Sequence, residues 1–234
     1  MAAKSAHKAY KPIQDAIQAG QMGQAQSLIH RASRTKLGRA KRLQLAYLSN
    51  LAFMPARALE LLQSVVRIDG RASAKRGSAT DEERAEYGRA LYGIGANTQA
   101  RRVLEAIDAR KLPRVYSLLA SVRFREWDWN TAIPSLREGL EHPKLTDHER
   151  LLIRQDLGIA LLHGPGEFKE AREILEKLAE DTSAENFRRV HLEACHMLAQ
   201  EAYHRQDNKR AERWLDRMEG LFAAEPDSVP RLVA

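Results

Sequence analysis

One cysteine, Cys195, stands in 234 residues, so no disulfide can form within the chain, and a reducing compartment is the natural setting. Long hydrophobic runs are also missing. The longest uncharged stretch with apolar character, Leu43 to Ala56, is too short and too polar to span a bilayer, and the mean hydropathy is −0.51. Lys4, Lys8, Lys11 and Asp15 interrupt the first twenty residues, which leaves no secretory hydrophobic region. These absences point to a cytoplasmic chain with no membrane partner. β-Branched residues are sparse and do not alternate, which argues against a sheet, and eight prolines with thirteen glycines fall mostly where helices must turn. Catalytic signatures are absent as well. Gly70 to Gly77 lacks the Lys-Ser/Thr of a phosphate loop and a preceding strand, and neither a Gly-x-Ser-x-Gly elbow nor a His-Glu-x-x-His motif occurs. The acidic pairs Glu82/Glu83 and Glu126/Asp128 sit at a helix start and a turn, where capping explains them. The sequence therefore reads as non-enzymatic, with no cofactor.

What the chain does have is alanine, leucine, arginine, glutamate and glutamine in helical abundance, and an uneven charge. Residues 1–78 hold fourteen Lys/Arg against three acids, +11, while the remainder holds 24 basic against 28 acidic side chains, −4. An internal period is also present. A small residue is followed twelve positions later by alanine, then by large apolar residues about four and seven further on. The units read Ala46-Ala58-Leu62-Val65, Gly88-Ala100-Leu104-Ile107, Ala120-Ala132-Leu136-Gly139 and Ala199-Ala211-Leu215-Met218. A weaker copy is Ile13-Ala25-Ile29-Ala32, and Gly158-Ala171-Leu175-Leu178 carries one extra residue in its Gly164-Pro165-Gly166 turn. Small residues at that spacing let two antiparallel helices cross closely, and the later apolar residues fill the seam to the next pair. Polar turns at 20–23, 93–98, 126–130, 163–167 and 205–208 separate the helices, and Thr80 with Glu83 predicts a capping box.

These features resemble the tetratricopeptide repeat over roughly residues 8–222. The alanine landmarks at 25, 58, 100, 132, 171 and 211 are spaced 33, 42, 32, 39 and 40, around the family's 34-residue unit. The first-helix tryptophan of the family is absent, and its closing proline is only approximated by Pro143. The resemblance implies an all-α, right-handed α-solenoid of about six antiparallel helix pairs. On this reading residues 1–68 are basic helical repeats, 69–79 a linker loop, 80–222 further repeats, and 223–234 an irregular tail that could lead to another domain.

The resemblance also implies a function: a scaffold or adaptor that holds a peptide or partner protein on its helical surface. The family's groove positions project onto Leu43, Tyr47 and Asn50; Arg89 and Tyr92; Arg114, Ser117, Ser121 and Arg125; Gln155 and His163, with a register uncertain by one residue; and His196, Gln200, Tyr203 and His204. Arginine forks bind carboxylates and tyrosines stack on peptide planes, so an extended acidic or C-terminal peptide is the expected ligand. The lysine-asparagine carboxylate clamp of chaperone-binding members is not reproduced. A solvated polar face is the plainer reading of the same residues. Two alternatives stand beside it. One is a sensory or regulatory module of a transcriptional regulator. The other is a nucleic-acid-binding repeat protein using the basic cluster Arg31, Arg34, Lys36, Arg39, Lys41 and Arg42 with Arg71, Lys75 and Arg76. His191, Cys195 and His196, with His204, have metal-ligand chemistry, but Cys195 falls on the packed side beside Leu192 and Leu198, so no metal is assigned. Trp127 is expected to pack at the apex of its helix pair.

Overall fold

The computed structural model describes residues 10–66, 79–143, 145–183 and 187–223, with side chains to residue 219. Arg71, Lys75 and Arg76, nearly all of the expected linker and all but the first residue of the irregular tail lie outside the described residues. Twelve α-helices and no strand are present among those described. In chain order they are α1 (Lys11–Gln18), α2 (Met22–Ser33), α3 (Arg39–Leu51), α4 (Pro55–Leu62), α5 (Asp81–Gly93) and α6 (Asn97–Glu105). The second half adds α7 (Val115–Arg125), α8 (Trp129–Leu140), α9 (Asp147–His163), α10 (Phe168–Asp181), α11 (Arg188–His204) and α12 (Asn208–Ala223). They form two compact units that divide between Asp108 and Ala109.

Each odd-numbered helix pairs with the even-numbered helix that follows, through the same device. In all six turns, the residue two positions before the second helix adopts a left-handed conformation: Gly20, Phe53, Gly95, Trp127, Gly166 and Gln206. The amide after it donates back to a carbonyl in the last turn of the first helix, as Gln21 to Ala16, Met54 to Ser49, Ala96 to Leu91, Asp128 to Arg123 and Asp207 to Ala202. This six-to-one bond closes the helix end and reverses the chain. In the fifth pair the bond runs from Glu167 to Leu161, one residue further back, which locates the residue inserted around Pro165.

The periodic positions form the core. Ala25, Ala58, Ala100, Ala132 and Ala171 are completely buried, and Ala211 nearly so. The small first-helix residue makes room for the leucine four positions past the alanine. A Cβ on Gly88 would stand 2.7 Å from Leu104, and one on Gly158 would stand 2.8 Å from Leu175. Within each unit, second helices pack between successive first helices, and the first helices also touch one another: α1 with α3 and α3 with α5, then α7 with α9 and α9 with α11. The first helices thus share one face in each unit. In the second unit, Leu136, Ile153, Leu161, Leu175, Leu178 and Leu198 fill the space behind it.

Buried acids tie neighbouring helices together. Glu83, 2% exposed, completes the capping box with Thr80 and receives both arms of Arg39 at 2.6 Å. Glu201 accepts from Arg172 of α10 at 2.6 Å and from Arg210 of α12 at 3.4 Å. His191 and Cys195 belong to the packed side: His191 lies 3.2 Å from the Thr182 hydroxyl and 3.7 Å from the Cys195 sulfur. Burial lowers the affinity of His191 for a proton and pushes the Cys195 thiol up.

Candidate functional site

The first unit places its projected groove residues on α3 and α5. Tyr47 is exposed, and Arg89 and Tyr92 are half-buried. Asn50 serves the fold instead. Its side-chain amide donates to the Glu86 carbonyl at 3.0 Å and to the Glu86 carboxylate at 2.9 Å, latching α3 to α5. The basic cluster divides. Arg31, Arg34, Lys36 and Lys41 are exposed and form no ion pair with a described residue. Arg39 is engaged with Glu83, and Arg42 donates to Ser64 and to the Leu37 carbonyl.

The second unit carries a more developed site. Helical periodicity aligns Arg114, Ser117, Ser121 and Arg125 along α7 and its approach. The same period aligns Leu152, Asp156, Ile159 and His163 on α9, and Arg189, Glu193, His196, Gln200 and Tyr203 on α11. Asp156 marks where these stripes meet. The Ser117 hydroxyl of α7 lies close enough to draw its pKa down, without reaching full hydrogen-bond geometry, and Arg189 and Glu193 of α11 act on it from the other side. Desolvation by the surrounding walls outweighs these neighbours and pushes the Asp156 carboxyl up to about 7.

Polar atoms without a described partner occur on each of these three helices. Ser117 Oγ, Gln155 Oε1 and Gln200 Oε1 are all out of contact with solvent and accept or donate no hydrogen bond to a described residue. Native proteins satisfy nearly all such groups, through protein or through ordered water. Ser121 donates to the Ser117 carbonyl at 3.0 Å. Arg125 is exposed and Arg114 half-buried.

At the carboxyl ends of these helices the face becomes aromatic. Phe124 contacts Trp129 with ring centroids 4.8 Å apart, Trp129 lies 5.9 Å from His163, and Tyr203 lies 6.4 Å from His204. Burial, then the neighbouring His204 and His196, hold His163 below the ordinary histidine pKa. Trp127 departs from the expectation that it packs. It occupies the left-handed turn position, is 77% exposed, and meets only the edge of Trp129, which does the packing. Tyr203 is 69% exposed. No group of three His, Cys, Asp or Glu with metal-binding geometry occurs among the described residues, and no described helix is long and apolar enough to cross a membrane.

The sequence reading missed Asp156, the most perturbed acid of the face. The signal was present: the α9 projection carried a one-residue ambiguity, and the inserted residue of the fifth turn is its cause.

No family model matches the chain, and no curated protein sequence matches it. Solved structures do. A Podospora anserina kinesin light chain-like protein with nearly identical TPR-like repeats is 20% identical, covering 80% of this chain and 96% of its own with a TM-score of 0.57. The pilF protein of Pseudomonas aeruginosa is 16% identical over 97% of both chains, with a TM-score of 0.57. MamA of MSR-1 is 18% identical over 80% of this chain and 95% of its own, with a TM-score of 0.52. Identities this low establish fold, and the recurring turn, the buried alanines and these likenesses agree on it: the chain has the all-helical, tetratricopeptide-repeat-like fold of the α-solenoid class.

Proposed function

We propose that the chain is a non-catalytic interaction scaffold whose second unit binds an extended segment of a partner protein along the shared face of α7, α9 and α11. The observation that carries this reading is that the successive first helices α7, α9 and α11 each present a solvent-excluded polar atom with no described partner, Ser117 Oγ, Gln155 Oε1 and Gln200 Oε1. Side-chain amides and hydroxyls offer both acceptors and donors to the N–H and C=O groups of a peptide backbone. Arg114 and Arg125 at the two ends of α7 supply charge, and Tyr203 supplies aromatic surface. Such a site recognises by shape and hydrogen bonding and needs no nucleophile.

Selection of a random peptide library on the whole chain tests the reading. Bound peptides should be lost on Ser121→Trp or Gln200→Trp, which fill the face, and retained on Glu180→Trp, an exposed position of the second helix α10. Peptides that survive both first-helix substitutions and are lost on the α10 substitution overturn it. Reversal of Arg114 and Arg125 to glutamate should weaken capture while helicity stays unchanged.

Exposed Arg31, Arg34, Lys36 and Lys41, with no ion pair to a described residue, favour a second contact, to an acidic protein surface. Binding through them falls steeply as salt is raised. An oligonucleotide held at low salt with the same dependence would assign the cluster to nucleic acid instead.

A further inference from the structure

The last helix pair leaves uncovered a position that every earlier pair buries. Four residues past the periodic alanine, Ile29, Leu62, Leu104, Leu136 and Leu175 are buried, whereas Leu215 of α12 is 48% exposed. In the second unit α8 and α10 each pack against the first helix that follows as well as against their own. Among the described helices, α12 packs substantially only against α11. The open side of a terminal repeat is ordinarily polar, and here it carries a leucine.

Ion pairs between successive helix pairs keep the same register. Arg172, one residue past its alanine, donates to Glu201 of the next first helix at 2.6 Å. Arg137, one residue past its leucine, donates to Glu170 of the next second helix at 2.8 Å. At the equivalent place in α10, Glu176 accepts from Arg210 of α12 at 2.6 Å. On α12 these two positions are Glu212 and Asp216, both exposed, and neither forms an ion pair with a described residue. Helical spacing sets Glu212 three residues before Leu215 and Glu219 four after it, along one stripe, while Arg213 and Arg217 fall on the far side of the helix.

We infer that the open side of α12 docks an amphipathic helix of a partner protein, whose apolar stripe covers Leu215 and whose flanking lysines or arginines pair with Glu212 and Asp216. Both acids stand where earlier pairs hold the opposite charge of a following helix, so the complement they require is basic. A second copy of the chain does not supply it. Joined head to tail, it would bring Asp15 of α1, at the register of Glu201, against Glu212, and Gln24 of α2, at the register of Arg210, against Asp216. Joined through α12 twice, it would set acids against acids. Like charges in contact oppose association, whereas a basic flank gives charge-assisted hydrogen bonds on top of the burial of Leu215. This surface belongs to the last second helix, outside the face shared by α7, α9 and α11, and does not depend on what that face binds.

Phage-displayed peptides of about 18 residues, long enough to hold a helix, supply the probe. Leucine is fixed along one stripe, and lysine, glutamate and glutamine are randomised beside it. Selection on the whole chain should enrich lysine beside the stripe. The selected peptides, made synthetically, should bind about 10-fold more weakly to Leu215→Gln and to the double variant Glu212→Lys/Asp216→Lys, and unchanged to Ser121→Trp. Selection on the double variant should return glutamate instead. All three α12 positions are exposed, and circular dichroism confirms that each variant is folded. Peptides with no charge preference, or peptides whose binding survives both α12 variants, overturn the inference. Binding lost on Ser121→Trp assigns the peptides to the first-helix face and overturns it too. Sedimentation of the chain alone should show no self-association that Leu215→Gln abolishes; if it does, the surface belongs to a second copy.

Discussion

At the scale of single residues, Asp156 and Glu83 are two acids with opposite fates, and the difference is measurable as stability against pH. The Asp156 carboxyl is raised from the ordinary aspartate value to about 7 in the folded chain. A raised pKa means the folded state holds its proton more tightly than the unfolded chain, so the stability it contributes is full below about pH 4 and is lost as pH rises through 7. Asp156→Asn should therefore match the wild type at pH 4 and be the more stable of the two at pH 8, as read by urea unfolding. Glu83 works the other way. Burial raises its pKa, but Arg39, the Thr80 amide and the Thr80 hydroxyl together bring it below the ordinary glutamate value. Its stabilisation is present above the unfolded pKa of about 4.5 and lost as pH falls below it. Arg39→Ala leaves a buried carboxylate with only its cap. Breaking a fully buried pair costs roughly 3–5 kcal/mol. Arg39 is 43% exposed, so solvent screening reduces this to about 1–3 kcal/mol at pH 7. The deficit should shrink at pH 4.

Residues of this kind are where the sequence says least. Asn50 and Arg39 have the same composition as binding residues, yet their partners Glu86 and Glu83 stand 36 and 44 positions away. Only packing brings them together, and no local spacing announces it. Asp156 was hidden by one inserted residue, which rotates the apparent face of α9 by about a third of a turn.

At the scale of the elements, far more was legible. Glycine and polar residues mark five of the turns, and the Thr80–Glu83 spacing gives the capping box that forms. The small-residue and alanine positions name the contact surfaces, because a helix pair with this geometry has no room for anything larger. Leu175, wholly buried against Gly158, is the test of that contact. Leu175→Ala should cost about 2–5 kcal/mol through lost burial and the cavity left behind, read by chemical denaturation. What the elements conceal is the left-handed residue of each turn, since Phe53, Trp127 and Gln206 share it with three glycines. A non-glycine residue there carries strain of about 1–2 kcal/mol per position. Trp127 recovers little of it by burial. Trp127→Gly should raise stability by about 1 kcal/mol and Gly166→Ala should lower it by a similar amount, both seen as shifts in the urea midpoint.

At the scale of the whole molecule, repetition explains both what is fixed and what is left free. Each helix pair buries its apolar face only against neighbouring pairs, so the repeated positions are committed to the core and the shared first-helix face is open to other uses. The charge asymmetry of +11 in residues 1–78 against −4 in the remainder belongs to this scale, because it is spread over many pairs. It predicts that a partner meeting Arg31, Arg34, Lys36 and Lys41 associates more slowly as salt rises, while a segment held mainly by hydrogen bonds on the first-helix face of the second unit is less sensitive. Stopped-flow association at low and high salt separates the two contacts.

Binding is expected on the face that α7, α9 and α11 present together. Amide and side-chain chemical-shift mapping of the whole chain, titrated with a peptide selected from the random library, tests it most directly. The largest changes should fall at Ser117, Ser121, Asp156, His196 and Gln200. Changes confined to the second helices α8, α10 and α12 would contradict it.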